Sequence, residues 1–182
     1  MTIQSGMVPV WREPPGPGRW LQLGTGARPL EGGVNHDRFA HGLWIDVAWD
    51  LDLMPWAALR AVVPEGGFDG VVAYDLIEHI VDVLGFVNEC FDLLRPGGML
   101  ILRGAAHDNP ASHTDPTHLH HFTEDSFDFF DRRTNIGAYY GRFYGDKLGR
   151  PLTEWQVIGA RRVNADPRWP TTPDILWTMV RL

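Results

Sequence analysis

Residues 68–103 constrain the fold more than any other stretch of this chain. "FDGVVAYD" is a continuous apolar run, the pattern of a strand buried on both faces of a parallel sheet. Behind it, Ile80, Val83, Leu84, Val87, Phe91 and Leu94 recur at i, i+3, i+4 and i+7 spacing, which predicts an amphipathic helix opening near Glu78-His79. Arg95-Pro96-Gly97-Gly98 is a stop signal, and "MLILR" resumes as a second buried strand. A helix between two buried strands argues for an α/β architecture on a mostly parallel sheet.

The flanking segments extend that pattern. "WLQLG", "GGVNHD" and "GLWIDVAWDL" read as three strands, the last from Leu43, Ile45 and Val47 alternating against Trp44, Asp46 and Ala48. "MPWAALRAVV" reads as a short helix with proline in its first turn. "GAAHDNPASHTDPTHLHHF" is a long polar loop, and loops of that length often carry function. Thr123 is the expected N-cap of a helix over "EDSFDFFD", whose Glu124 and Asp125 suit the positive end of the helix dipole. "WQVIGARRV" and "DILWTMVRL" have no helix between them and predict an antiparallel pair at the sheet edge. At 182 residues the chain fits one domain, residues 20–182. Residues 1–19, with "REPPGPGR", read as an N-terminal arm.

A formal net charge of -7 repels the phosphate backbone, so a small-molecule partner is expected rather than a nucleic acid. The lone Cys90 excludes an internal disulfide and fits a reducing compartment. No basic region leads into an apolar leader, and no apolar run nears the roughly 18 residues of a membrane span. The expectation is a cytoplasmic protein with no membrane partner.

Ligands of open α/β sheets bind at the carboxyl ends of the strands. Gly24, Asp37, Asp50 and Tyr74 all fall at such ends. A dinucleotide fits poorly: Gly24-Thr25-Gly26-Ala27-Arg28-Pro29 lacks the third glycine of the fingerprint, and little room remains for a helix before Asp37. S-adenosylmethionine fits better. Gly24 and Gly26 let the backbone come close. Asp37 can accept the ribose hydroxyls, Asp50 the adenine amine, and the main chain at Tyr74 can meet the methionine ammonium. Taken singly, each residue also has a plain reading as a turn-former or solvated carboxylate.

In order, "LQLGTG", "GVNHD", "WDLDLMPW", "FDGVVAYDLIEHI" and "LLRPGGML" resemble the class I S-adenosylmethionine-dependent methyltransferases, in particular small Rossmann-like members with a shortened first crossover. The resemblance covers roughly residues 20–103. It implies a seven-stranded sheet with the last strand antiparallel. It also implies S-adenosylmethionine as cofactor, with contacts at Leu23, Gly24, Thr25 and Gly26, at Asp37, at Asp50 with Leu51, and at Tyr74. Gln22 stands where the family carries Asn or Asp, Thr25 where Cys or Ser is common, and Asp75 where many relatives carry His. "DPTHLHHFTEDSFDFFD" is similar to a segment of some members and extends the likeness to Asp131.

His107, His113, His118, His120 and His121 crowd the polar loop, with Asp108 and Asp115. A metal site, a methyl-acceptor pocket and simple hydrogen-bonded turn residues all remain open; the spacing matches no zinc signature, and no metal ligand is assigned. For Glu78, a helix-start carboxylate and a place near the sulfonium both remain open. His118, His121 and Asp75 are the candidate catalytic bases for a small or sugar-like oxygen or nitrogen acceptor. A non-catalytic domain that keeps the fold is the alternative.

Overall fold

The buried run at residues 68–74 becomes the middle of a seven-stranded sheet in the computed structural model, which describes residues 12–140, 152–163 and 173–182. The strands are β1 (Trp20–Leu23), β2 (Val34–Asp37), β3 (Val47–Ala48), β4 (Phe68–Tyr74), β5 (Leu94–Ala105), β6 (Trp155–Val163) and β7 (Asp174–Arg181). Their order is β3-β2-β1-β4-β5-β7-β6; β1 to β5 pair in parallel, and β7 runs antiparallel to both neighbours. The chain steps outward one way from β1 and the other way from β4, so the switch point lies between these two strands.

β4 shows how the sheet is held. Val71 and Ala73 enter the main core, against Phe86, Val87, Cys90 and Leu93 of α2 (Val83–Leu93), all fully buried. Val72, one residue out of phase, packs on the opposite face with Trp20, Leu30 and Ile101. Burying each such large side chain contributes roughly 1.5–3 kcal/mol before conformational entropy is subtracted. The helix begins at Val83 because the Asp82 side chain caps it, accepting from the Gly85 N–H at 2.9 Å. Glu78-His79 therefore do not open this helix; they lie in a separate 3-10 turn, Ile77–His79. The stop at Arg95–Gly98 is a bulge, since Phe68 pairs with Leu94 and Gly70 then pairs with Met99.

The third predicted strand is much shorter than its alternation suggests. Only Val47–Ala48 pair, and Leu43 stands fully exposed. Residues 42–45 turn instead, with the Ile45 N–H on the Gly42 carbonyl, and the Trp44 indole N–H reaches the Gly26 carbonyl at 2.9 Å. The short helix after it is α1 (Ala57–Arg60). The polar loop contains one helical turn, α3 (Ala111–Thr114). Glu124–Phe130 follows Thr123 as expected but is a 3-10 helix, with the Thr123 N–H donating to Ser126 Oγ at 2.8 Å. Its Phe127 meets Phe122 and Trp177 at ring separations of 5.7 and 5.1 Å, and the Trp177 N–H donates to the Glu124 carbonyl.

Of the expected arm, residues 1–11 lie outside the described residues. From Arg12 the chain is docked: Arg12 pairs with the backbone at Pro29 and Glu31, and the Trp20 indole donates to the Gly16 carbonyl at 2.8 Å. Among the described residues, no helix is long and apolar enough to cross a membrane.

Asp131 ties the late 3-10 helix to β6. Its buried carboxylate accepts from the Arg133 N–H and Nε at 2.9 and 2.8 Å and from the Val157 N–H at 2.9 Å. The Arg133 side chain, above all, holds its carboxyl down to about 2. A carboxyl depressed on folding gives stability that is complete above its unfolded pKa of ~3.9 and is lost as pH falls toward 2. Asp131→Asn is expected to lower stability by about 2 kcal/mol at neutral pH. Urea melts should show the gap to wild type closing between roughly pH 4 and 2.

Candidate active site

The strand ends place the sequence-predicted residues along one edge of the sheet. β1 ends at Leu23, which is fully buried, and the chain then turns through Gly24 and Gly26, both left-handed at φ 63° and 55°. The two glycines answer different demands. A Cβ on Gly24 would press Leu76 at 2.9 Å, so this glycine lets the turn and the segment after β4 meet. Among the described residues, a Cβ on Gly26 would meet nothing within 4 Å. Thr25 between them is buried, with its N–H on the His36 carbonyl at 2.9 Å.

Asp37, at the end of β2, fixes this turn. Its Oδ2 accepts the Gly26 N–H at 2.8 Å and its Oδ1 the Arg38 N–H at 2.7 Å. The carboxylate remains partly exposed, with lone pairs left over from these two bonds. From the other side, His41 Nε2 and the Trp44 indole N–H approach the Gly26 carbonyl at 3.0 and 2.9 Å. The sequence assigns neither residue a place in the site, although both stand in "DRFAHGLW", which opens on Asp37.

Asp50 joins the same cluster through Arg38, at 2.6 Å from its Oδ2, and accepts the Asp52 N–H with its Oδ1. Leu51 is buried in the main core, and its carbonyl takes the Trp56 indole N–H at 2.8 Å. Tyr74 closes β4, but its side chain leaves the crevice. The Arg12 and Arg103 guanidinium groups each lie 5.0 Å from its ring centroid, and burial raises its phenol pKa. The Tyr74 side chain is thus engaged by two arginines.

Asp75 has φ 55°, left-handed for a residue with a side chain. Its N–H donates to the Arg103 carbonyl at 2.8 Å, and its carboxylate receives the Arg103 fork, with Nε on Oδ1 at 3.1 Å. That ion pair occupies the group that the sequence suggested as a base.

The polar loop folds back onto the turn after β4. The Leu119 N–H donates to the Glu78 carbonyl at 2.7 Å, and His120 Nε2 lies 2.9 Å from the Ile80 carbonyl. His118 is largely buried and lies edge-on to His79, with ring centroids 4.7 Å apart. His121 is not in that pair. Its Nδ1 faces Ser112 Oγ at 2.9 Å and its ring lies 4.2 Å from that of His113. Glu78 is buried, and desolvation first of all pushes its carboxyl up to about 7.

The edge therefore offers a glycine turn, a carboxylate bonded to that turn, and a histidine loop beside it. Gly26 and Asp37 fit the close approach and hydroxyl recognition that S-adenosylmethionine needs. A family model described as a methyltransferase domain matches residues 48–102. A ubiquinone biosynthesis O-methyltransferase from Methylocella silvestris is 52% identical over 33 residues, 18% of this chain and 13% of that protein. One from Xanthomonas campestris is 37% identical over 62 residues, 34% of this chain and 26% of the relative. The matched stretches thus span at most about a quarter of these relatives. Among solved structures, an S-adenosylmethionine-dependent methyltransferase from Archaeoglobus fulgidus superposes with a TM-score of 0.51 at 12% identity, over 90% of this chain and 86% of that one. The [4+2]-cyclase SpnF gives 0.52 at 12% identity, over 91% and 75%. Residues 48–102 thus match a methyltransferase domain, and the solved structures show that the chain shares its fold with S-adenosylmethionine-dependent methyltransferases.

Proposed function

We propose that this domain binds S-adenosylmethionine in the crevice between β1 and β4 and methylates an oxygen or nitrogen of a small or sugar-like polar acceptor. One observation carries this reading: the Asp37 carboxylate holds the Gly26 N–H at the switch point, while no described residue comes within 4 Å of a Cβ built on Gly26. In this reading Asp37 accepts the ribose hydroxyls and Asp50 the adenine amine. Leu23, Gly24 and Thr25 shape the turn, Leu51 supplies apolar wall, and the main chain at Tyr74 meets the ammonium.

The bound sulfonium brings a methyl group already activated for displacement. The protein's own work is to hold the acceptor in line and keep water out. A hydroxyl or amine acceptor also has a proton to lose, and the histidine loop is the source of a base. His118 leads His121 because it sits against the turn that follows β4. Asp75, committed to Arg103, orients rather than removes a proton. The O-methyltransferase relatives favour an oxygen acceptor, and the net charge of -7 disfavours nucleic acid.

Calorimetric titration with S-adenosylhomocysteine tests the reading. Wild type is expected to bind in the micromolar class, about 8 kcal/mol, and Asp37→Ala at least tenfold more weakly. If neither protein binds, the reading fails and a non-catalytic domain takes its place. If wild type binds, an acceptor screen follows; methylation of DNA or RNA alone would overturn the small-acceptor assignment.

A further inference from the structure

Glu78, His79 and His118 bring one carboxylate oxygen and two ring nitrogens within 4.8 Å of one another. Glu78 and His79 stand on the 3-10 turn after β4, and His118 arrives on the polar loop. The backbone bond from Leu119 to Glu78 and the contact of His120 with Ile80 fasten loop to turn, so the fold itself assembles the cluster.

The hydrogen bonds fix which nitrogen of each neutral ring carries the lone pair. His79 Nδ1 lies 3.2 Å from the Thr117 carbonyl and 3.0 Å from Thr117 Oγ1. The Thr117 hydroxyl in turn donates to Asp115 Oδ1 at 2.7 Å, because a carboxylate can only accept. The proton between His79 and Thr117 must therefore sit on Nδ1. His118 Nδ1 lies 3.3 Å from the Ser112 carbonyl, which likewise can only accept. Both rings present Nε2 as a lone pair while Nδ1 is anchored to oxygen, the outer-shell pattern of metal-bound histidine. Asp115 Oδ2 lies 3.9 Å from His118 Nε2 and brings a second carboxylate to the rim. Glu78 is 3% exposed, and its Oε2 has no hydrogen-bond partner among the described residues. A buried carboxylate oxygen without a partner is unfavourable unless a cation or donor meets it.

We propose that Glu78, His79 and His118 form a site for one divalent transition-metal ion of the zinc class, held through a Glu78 oxygen and the two Nε2 atoms. Bonds of about 2.0–2.1 Å place tetrahedral ligands roughly 3.3 Å apart, a spacing that small side-chain rotations reach from the one found here. Three protein ligands leave a position open. Its use in polarising an acceptor hydroxyl rests on the methyl-transfer reading, in which a metal-bound His118 has no lone pair to spare and His121 is left as the base; the site itself does not rest on it.

The test uses the full chain, stripped with EDTA and titrated with Co²⁺ by visible absorption, then with Zn²⁺ in competition. One equivalent is expected to bind, with ligand-field bands that Zn²⁺ abolishes. His79→Ala, at a half-buried position, and Glu78→Gln should each weaken binding at least tenfold; His113→Ala, in the same loop, should leave it intact. Thermal melts without metal identify any variant that fails to fold, and His79→Ala keeps the test open if Glu78→Gln does. Failure of wild type to bind stoichiometrically, or undiminished binding by the folded His79→Ala and His118→Ala variants, overturns the proposal. Titrating the stripped protein with S-adenosylhomocysteine separates the two readings: cofactor binding without metal binding removes only the metal site, and the reverse removes only the methyl-transfer reading.

Discussion

Trp56→Ala is expected to lower the unfolding free energy by about 3–5 kcal/mol, the range for emptying a large aromatic site in a packed core. Trp56 is fully buried and lies edge-on to Phe86 of α2, with centroids 5.2 Å apart. Its backbone N–H donates to Glu89 Oε2 at 3.1 Å and its indole N–H to the Leu51 carbonyl at 2.8 Å. The substitution therefore opens a cavity and also strips the Leu51 carbonyl of its donor. Against a typical total of roughly 5–15 kcal/mol, that loss is large enough to bring the domain near unfolding at 37 °C. Trp56→Phe keeps most of the volume and loses the indole hydrogen bond, so about 1–2 kcal/mol is expected. Urea denaturation measures both. Because Leu51 follows Asp50, the folded fraction of Trp56→Ala should also bind S-adenosylhomocysteine more weakly than wild type. An alanine variant that melts with wild type would show that this corner of the core does not hold the Asp50 turn.

The fold was legible where a physical period ran uninterrupted. The buried run of β4, the stripe of α2 and the Arg95–Gly98 break each follow from side-chain spacing, and each is found. The antiparallel partnership of the last two strands followed from the lack of a helix between them. Alternation misled at residues 43–48, since an edge strand is free to end early when Trp44 gains a better partner in the Gly26 carbonyl. The helix opened later than its apolar stripe because a cap, Asp82, sets the start, whereas periodicity only says which face is buried. The glycine turn after β1 and the place of Asp37 at the end of β2 were legible because strand ends and glycines are local features. The Glu78–His79–His118 cluster was not, since it joins residues about 40 positions apart through backbone contacts that spacing does not encode.

Gly26→Val is expected to weaken S-adenosylhomocysteine binding at least a hundredfold, about 2.7 kcal/mol, while leaving the protein folded. The two effects separate because the backbone and the space make independent demands. Gly26 sits at φ 55°, where a side chain costs roughly 1–2 kcal/mol and a β-branched one lies at the unfavourable end. Among the described residues, no atom beyond its chain neighbours lies within 4 Å of its Cβ position, so the Cβ of the valine has room in the free domain. Its methyl groups instead enter the space over the turn, beside the Asp37 carboxylate that bonds the same residue's N–H. Gly24→Val makes the contrasting case: its Cβ would press Leu76 at 2.9 Å, so folding and binding should fail together. Calorimetry paired with urea denaturation reads the two quantities on the same samples. A folded Gly26→Val protein that binds S-adenosylhomocysteine as wild type does would mean that the space over Gly26 is not the cofactor's, and the crevice between β1 and β4 would lose its assignment.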